Sequence, residues 1–358
     1  MYNHSAICRF MDCLKEDNMV KFNFIMIIAL CLISTPLLAG NLEPTAAPGS
    51  TMKPLSDIDP GTAINSLPYT INTSGSYYLT ANCTASSGIQ INTDNVTIDL
   101  RGFTLDGNKA VTHAITASKK KNIILKNGII VNWYACGLYL YDSNNCRIEN
   151  LSFSNIGYAA VGAGNNSIIR NCAVINCRSN SYAAISAGVG AVISDCVVSD
   201  CNYIGIKADK AVISNCSVKK CVDVGMMTTD TSTIKNCLSV SNGDYGLQVS
   251  NGSIVEGCTA IGNTGYGMSI SSSTAINNNC SSNTGSGMFI TGTGCHIESN
   301  SCNSNTAYGF YISSTSNSVI RNFARLNTSG GYSVTTGGGV APVTNTYSSA
   351  TEWSNFSF

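Results

Sequence analysis

One register repeats along most of this chain: Cys or Asn, four residues, Cys or Asn again, then most often three residues and a Gly. It runs through Cys196, Cys201 and Gly205, then Cys216, Cys221 and Gly225, Cys237, Asn242 and Gly246, Cys258, Asn263 and Gly267. Asn278, Asn283 and Gly287 follow, then Asn300, Asn305 and Gly309, and last Asn322, Asn327 and Gly331. Upstream the same places hold Cys172 and Cys177, then Leu151, Ile156 and Ala160, and first Gly128, Trp133 and Gly137. An apolar anchor stands three places before each copy, from Leu125 and Ile148 to Ile297 and Val319, at spacings of 20 to 24 residues. Self-similarity at that period marks a solenoid, in which each unit buries its apolar side against its neighbours.

Within a unit the segments are three to five residues long, alternate apolar and polar, favour Ile, Val, Thr and Tyr, and are broken by Asn, Gly and Ser. That is strand chemistry with tight turns. Parallel stacking of such units pairs each backbone group with the coil above and below. The fold read from the sequence is all-β: a single-stranded right-handed parallel β-helix of about eleven coils with an N-terminal cap. Its parts are a presequence over 1–39, a cap segment over 40–94, the β-helix over 95–335 and a tail over 336–358. Residues one place before the first Cys/Asn column (Asn127, Asn150, Asn171, Asp195, Asn215, Asn236, Gly257, Asn277) suit the left-handed backbone of a sharp corner. The Gly column marks another corner, and the apolar residue after it, such as Ile206, Met226 or Leu247, points inward.

From Met19, taken as the start, the chain reads as a secretory signal: a Lys, an apolar run from Phe22 to Ile33, a Pro, and Ala39 before Gly40. The run is too short for a membrane span, so no stable span is expected after signal removal, and the protein is read as secreted, cell-surface or periplasmic. Of 17 Cys, eight occupy the two inward columns, which predicts a ladder of buried, mostly reduced thiols, although neighbouring coils bring Cα atoms within disulfide range. No metal site is read here, because Asn replaces Cys in the same columns. With zero formal net charge and 11% charged residues, the chain lacks the basic face of a nucleic-acid binder.

Outward residues carry any chemistry. The place after each anchor stacks Lys126, Glu149 and Arg170 on adjacent coils, which reads as an ion-pair ladder or as a site for an anionic sugar. Tyr245, Tyr266 and Tyr308 stand before Gly on separate coils, and Phe289 and Tyr311 project outward from the strand after Gly. Rings on a neutral rod rich in amides and hydroxyls are what sugars stack upon, so these five are read as carbohydrate-binding.

The repeat, opened by Asn95 to Gly107 (NVTIDLRGFTLDG), resembles right-handed parallel β-helix repeat proteins of the pectate-lyase-like superfamily over about residues 95–335. The flanking TMKPLSDIDPGTAI, GSYYLTANCT and WSNFSF are similar to a narrower group of uncharacterised secreted bacterial β-helix proteins. That superfamily spans lyases, hydrolases, epimerases, tailspikes and non-catalytic surface proteins, and fold does not choose among them. Hydrolase-type Asp-Asp and Gly-His-Gly are absent, and Asp59-Pro60 has no His after it. What the resemblance leaves is a lyase-like arrangement at Lys126, Glu149 and Arg170, in which a base removes a sugar proton while cations neutralise the uronate. Ca²⁺ could assist in that role, although no Ca²⁺ motif is present. The function expected is therefore polysaccharide binding, with lyase-like processing if the trio is catalytic. The alternative is a non-catalytic structural or adhesive rod.

Overall fold

The computed structural model describes residues 61–335 and 337–358, and the signal-peptide reading of residues 19–40 lies outside them. One coil shows the plan: strands Val212–Ser214, Ser217–Lys219 and Met226–Thr228 form three faces separated by three corners. Each strand pairs in parallel and in register with its counterpart on the next coil, Ile213 with Ile234, Val218 with Ser239 and Met226 with Leu247. The third face is a sheet of thirteen strands, and the first two join in a sheet of twenty-five. At ~4.8 Å per coil the rod is roughly 60 Å long.

Thirteen coils replace the eleven expected because residues before Asn95 already run in the coil register: Thr62 pairs with Tyr77, and Tyr69 with Ile89. Among the described residues no helix is long and apolar enough to cross a membrane.

Corner geometry follows from residue type. The expected left-handed column is present, with φ of 60° at Asn127, 54° at Asn215, 52° at Asn236 and 57° at Asn277. A second left-handed column, hidden in the sequence by its mixed chemistry, precedes the second Cys/Asn position: Asn132, Asp200, Lys220, Ser241 and Leu326. A third turns the chain from the third face back to the first, at Asn122, Asn145, Asn166 and Asn251. The Gly column is different. It is not left-handed; it is Gly because the next coil leaves no room. A Cβ on Gly225 would lie 2.2 Å from Ser239 Oγ and 2.6 Å from the Gly246 carbonyl.

The two inward columns explain why Cys and Asn exchange. From Cys216 onward, the inward side chain accepts the backbone N–H of its counterpart one coil earlier. Cys216 N–H meets Cys237 Sγ at 3.5 Å, and Cys237 N–H meets Cys258 Sγ at 3.4 Å. Where Asn takes over, Cys258 N–H reaches Asn278 Oδ1 at 2.8 Å and Cys221 N–H reaches Asn242 Oδ1 at 2.9 Å. Asn then adds an amide ladder: Asn242 Nδ2 donates to Asn263 Oδ1 (3.0 Å), Asn263 to Asn283 (3.0 Å), Asn283 to Asn305 (2.9 Å) and Asn305 to Asn327 (2.9 Å). A parallel ladder runs from Asn278 through Asn300 and Asn322 to Asn355. These amides are buried yet satisfied, as interior polar groups must be.

All fourteen described cysteines are buried free thiols. Burial pushes Cys136 and Cys146 up to about 11, so their thiols are protonated and poor nucleophiles at neutral pH.

Three outcomes are expected. Asn283→Leu removes the acceptor for Asn263 and strands buried N–H donors, and it should cost about 2–4 kcal/mol in chemical denaturation. Cys258→Asn, which keeps the acceptor, should cost about 1 kcal/mol or less. Titration with a thiol-specific disulfide reagent should find the column thiols unreactive in the folded protein and reactive after denaturation. Extensive bridging in mass maps of the unreduced protein would contradict that.

Candidate functional site

Outward side chains on a stacked parallel sheet stand about one strand spacing apart, which is ring-stacking distance. On the third face the five rings singled out in the sequence meet in one track. Tyr245 stacks on Tyr266 with centroids 5.4 Å apart, Tyr266 meets Phe289 at 4.4 Å, Phe289 stacks on Tyr311 at 5.1 Å, and Tyr311 meets Tyr308 at 6.1 Å. The track zigzags because Tyr245, Tyr266 and Tyr308 precede the Gly column while Phe289 and Tyr311 follow it. All five are half-buried, leaving ring area open to a ligand.

A second ring group lies nearer the N-terminus on the same face. His113 lies 4.5 Å from Tyr139, which meets Tyr141 at 5.4 Å; Tyr141 then meets Tyr182 at 6.3 Å, and Tyr182 meets Tyr158 at 5.6 Å. His113 Nδ1 accepts the Cys136 N–H at 3.0 Å, and burial lowers its affinity for a second proton. Tyr182 was legible in principle, since it shares a column with Tyr158 and Tyr203. Between the groups a small apolar cluster of Ala183, Ile204 and Val224 supports Tyr203, Met227 and Tyr245.

Sequence reading missed two carboxylates here. Asp223 and Asp244 occupy one column on consecutive coils, fixed by the bonds Gly225 N–H to Tyr245 O and Met226 N–H to Gly246 O. Neither carboxylate has a hydrogen-bond or ion-pair partner among the described residues. Burial, and then the charge of Asp223, raise the Asp244 carboxyl above its ordinary value. The signal was the spacing of two Asp residues, each two places before a Gly of the repeat.

On the first face the predicted trio is in register, with Glu149 opposite Lys126 on one side and Arg170 on the other. Its bonds are less symmetrical. Glu149 Oε1 accepts from Arg147 Nε and from Arg170 Nε, the latter at 2.7 Å, whereas Lys126 reaches back to Asp99 at 3.4 Å. Burial pushes the Glu149 carboxyl up, but hydrogen bonds from the two arginines, with their charge, outweigh it and leave the carboxyl below its ordinary range. An ionised carboxylate so held is a weak base. Further along, Lys235 pairs with Glu256 at 2.8 Å, and Glu298 binds His296 at 3.0 Å and Arg321 at 2.9 Å. Among the described residues no three His, Cys, Asp or Glu side chains converge as metal ligands would.

Comparison with known proteins places this geometry. A family model described as "Right handed beta helix region" matches residues 87–279. A second, described as "Periplasmic copper-binding protein (NosD)", matches residues 224–355. No curated protein matches the sequence. Among solved structures, the chain is similar to a mutant of the periplasmic alginate epimerase AlgG, at 11% identity over 73% of this chain and 74% of that one, TM-score 0.52. It is similar to the A-module of a mannuronan C-5 epimerase of Azotobacter vinelandii, at 11% identity over 79% and 89%, TM-score 0.54. It is also similar to a mutant tailspike of an E. coli bacteriophage in complex with a pentasaccharide, at 14% identity over 72% and 61%, TM-score 0.50. At these identities the likeness is one of fold.

The arginine clamp has a pH signature. A carboxyl held below its ordinary value of 4.5 stabilises the fold above that pH and loses its contribution as pH falls through the lowered value. Glu149→Gln should therefore cost on the order of 1–2 kcal/mol at pH 7, and the difference from the parent should shrink steadily in denaturation series taken below about pH 4.5. A difference independent of pH would mean that the clamp does not shift the carboxyl.

Proposed function

The chain belongs to the right-handed β-helix family, and on that footing we propose that it is an exported rod that binds polysaccharide along its third face. The observation that carries this reading is the unbroken track of Tyr245, Tyr266, Phe289, Tyr311 and Tyr308. Five half-buried rings on four successive coils, with Gln248 and Ser333 in the column of Phe289 and Tyr311, offer apolar platforms beside hydrogen-bonding groups, which is the recognition chemistry of a sugar chain. The similar structures support it: two are epimerases named for alginate or mannuronan, and one holds a pentasaccharide. A periplasmic or extracellular location is supported by the names of the NosD family and of the alginate epimerase and by the sequence from Met19.

The described residues do not fit copper. Thiolates suit Cu(I), but the Cys residues of the segment that matches NosD are buried, and no three ligating side chains converge among the described residues.

Lys126, Glu149 and Arg170 serve in this proposal as part of the charge ladder of the first face. Lyase-like processing there would need Lys126 or Arg170 as base, because Glu149 is held ionised by its arginines. A structural or adhesive role has its own support in the outward apolar stripe of Ile168, Val192 and Val212, neighbours on three successive coils.

The binding reading is tested on a panel of soluble glycans with Tyr266→Ala and Phe289→Ala. Each should weaken binding by roughly three- to tenfold, the loss expected for one aromatic contact, with unchanged circular dichroism. Glu149→Gln should leave affinity intact. Full affinity in the ring double variant would sink the proposal, and release of unsaturated ends that Glu149→Gln and Arg170→Ala abolish would move the chemistry to the first face.

A further inference from the structure

The chain neutralises the stacked carboxylates of its first face. Asp99, Glu149, Glu256 and Glu298 each have a cation in contact. The third face breaks this rule at its centre. Asp223 and Asp244 lie side by side on consecutive coils with no cation on either. Lys207, outward on the preceding coil, makes no ion pair among the described residues. Asp209 is already engaged by the Thr229 N–H at 2.8 Å and the Thr229 hydroxyl at 2.6 Å.

The pair sits within the ring track. Tyr203 occupies the same column one coil before Asp223, Tyr245 adjoins Asp244, and Tyr266 follows at 5.4 Å from Tyr245. The column is then interrupted by Gly265, where a Cβ would lie 2.4 Å from Asp244 Oδ1. Glycine there makes room for the Asp244 carboxylate, which lies half-buried against the backbone of the next coil. Two like charges about one strand spacing apart repel, and burial raises the cost of ionising Asp244 further.

We propose that this track takes a glycan carrying protonated amines, an N-deacetylated hexosamine chain whose cationic groups lie over Asp223 and Asp244 while its sugar rings stack on Tyr203, Tyr245 and Tyr266. The inference rests on the glycan-binding reading and adds the charge of the ligand to it. An ammonium group supplies the missing counter-ion, a neutral sugar leaves the repulsion in place, and a uronate adds to it.

The test is titration calorimetry of the full chain with soluble hexosamine oligomers of matched length, N-acetylated or N-deacetylated, and with a polyuronate. The deacetylated oligomer should bind about tenfold tighter than the acetylated one at low ionic strength, a margin that shrinks with added salt. Asp223→Asn with Asp244→Asn should erase that margin without changing the affinity for the acetylated oligomer, and the variant should melt no lower than the parent because a repulsion has been removed. Equal affinity for both oligomers, or tightest binding of the polyuronate, overturns the charge assignment while leaving the ring track standing if Tyr266→Ala still weakens binding. Absence of binding to every glycan overturns both.

Discussion

From Cys216 onward the coils depend on one recurring hydrogen bond: the backbone N–H that follows a left-handed corner residue goes to the inward side chain of the next coil. A corner residue at φ near 55° cannot present its neighbour's N–H to an ordinary strand partner, and a buried N–H without an acceptor is costly. Cys and Asn both solve this. Sulfur accepts the N–H weakly and fills the space with little polarity. Asn accepts it at about 2.9 Å and then needs partners for its own amide, which the next Asn provides.

Because register is fixed from inside, the outer faces are free to carry different chemistry. The first face stacks opposite charges, with Glu149 between two arginines and Glu298 between His296 and Arg321. The third stacks rings. In both, the lateral distance is the same strand spacing, so the sequence chooses only the side chain, and a function is written at one residue per coil.

The coil plan was legible because its determinants recur at a fixed spacing. The first left-handed column consists almost wholly of Asn, Asp and Gly, and it was read residue by residue. The second escaped because Lys220, Ser241 and Leu326 carry no such preference, and the tertiary hydrogen bond imposes the conformation on them. Glycine was read as a corner residue, but the reason for it lies in the next coil's carbonyl, which a linear sequence does not display. The ring track emerged from the same columns. Asp223 and Asp244 did not, since neither is unusual alone, and their proximity exists only once the 21-residue offset is folded into one step. Lys126 was assigned to Glu149 by register alone, while Asp99, on the coil before, competes for the same amine.

A stack of identical rungs has no inherent reason to stop, and an open last coil would offer its donors and acceptors to another molecule. Asn355 removes that opportunity in one of the two amide ladders. It accepts the amide of Asn322 and, like the rungs before it, donates back to the previous coil, to the Val319 carbonyl at 2.8 Å; the N–H that other rungs pass forward goes instead to the Ala341 carbonyl at 3.1 Å. That ladder is thereby capped in the polymer sense: its last rung keeps no spare amide donor on which another molecule could add.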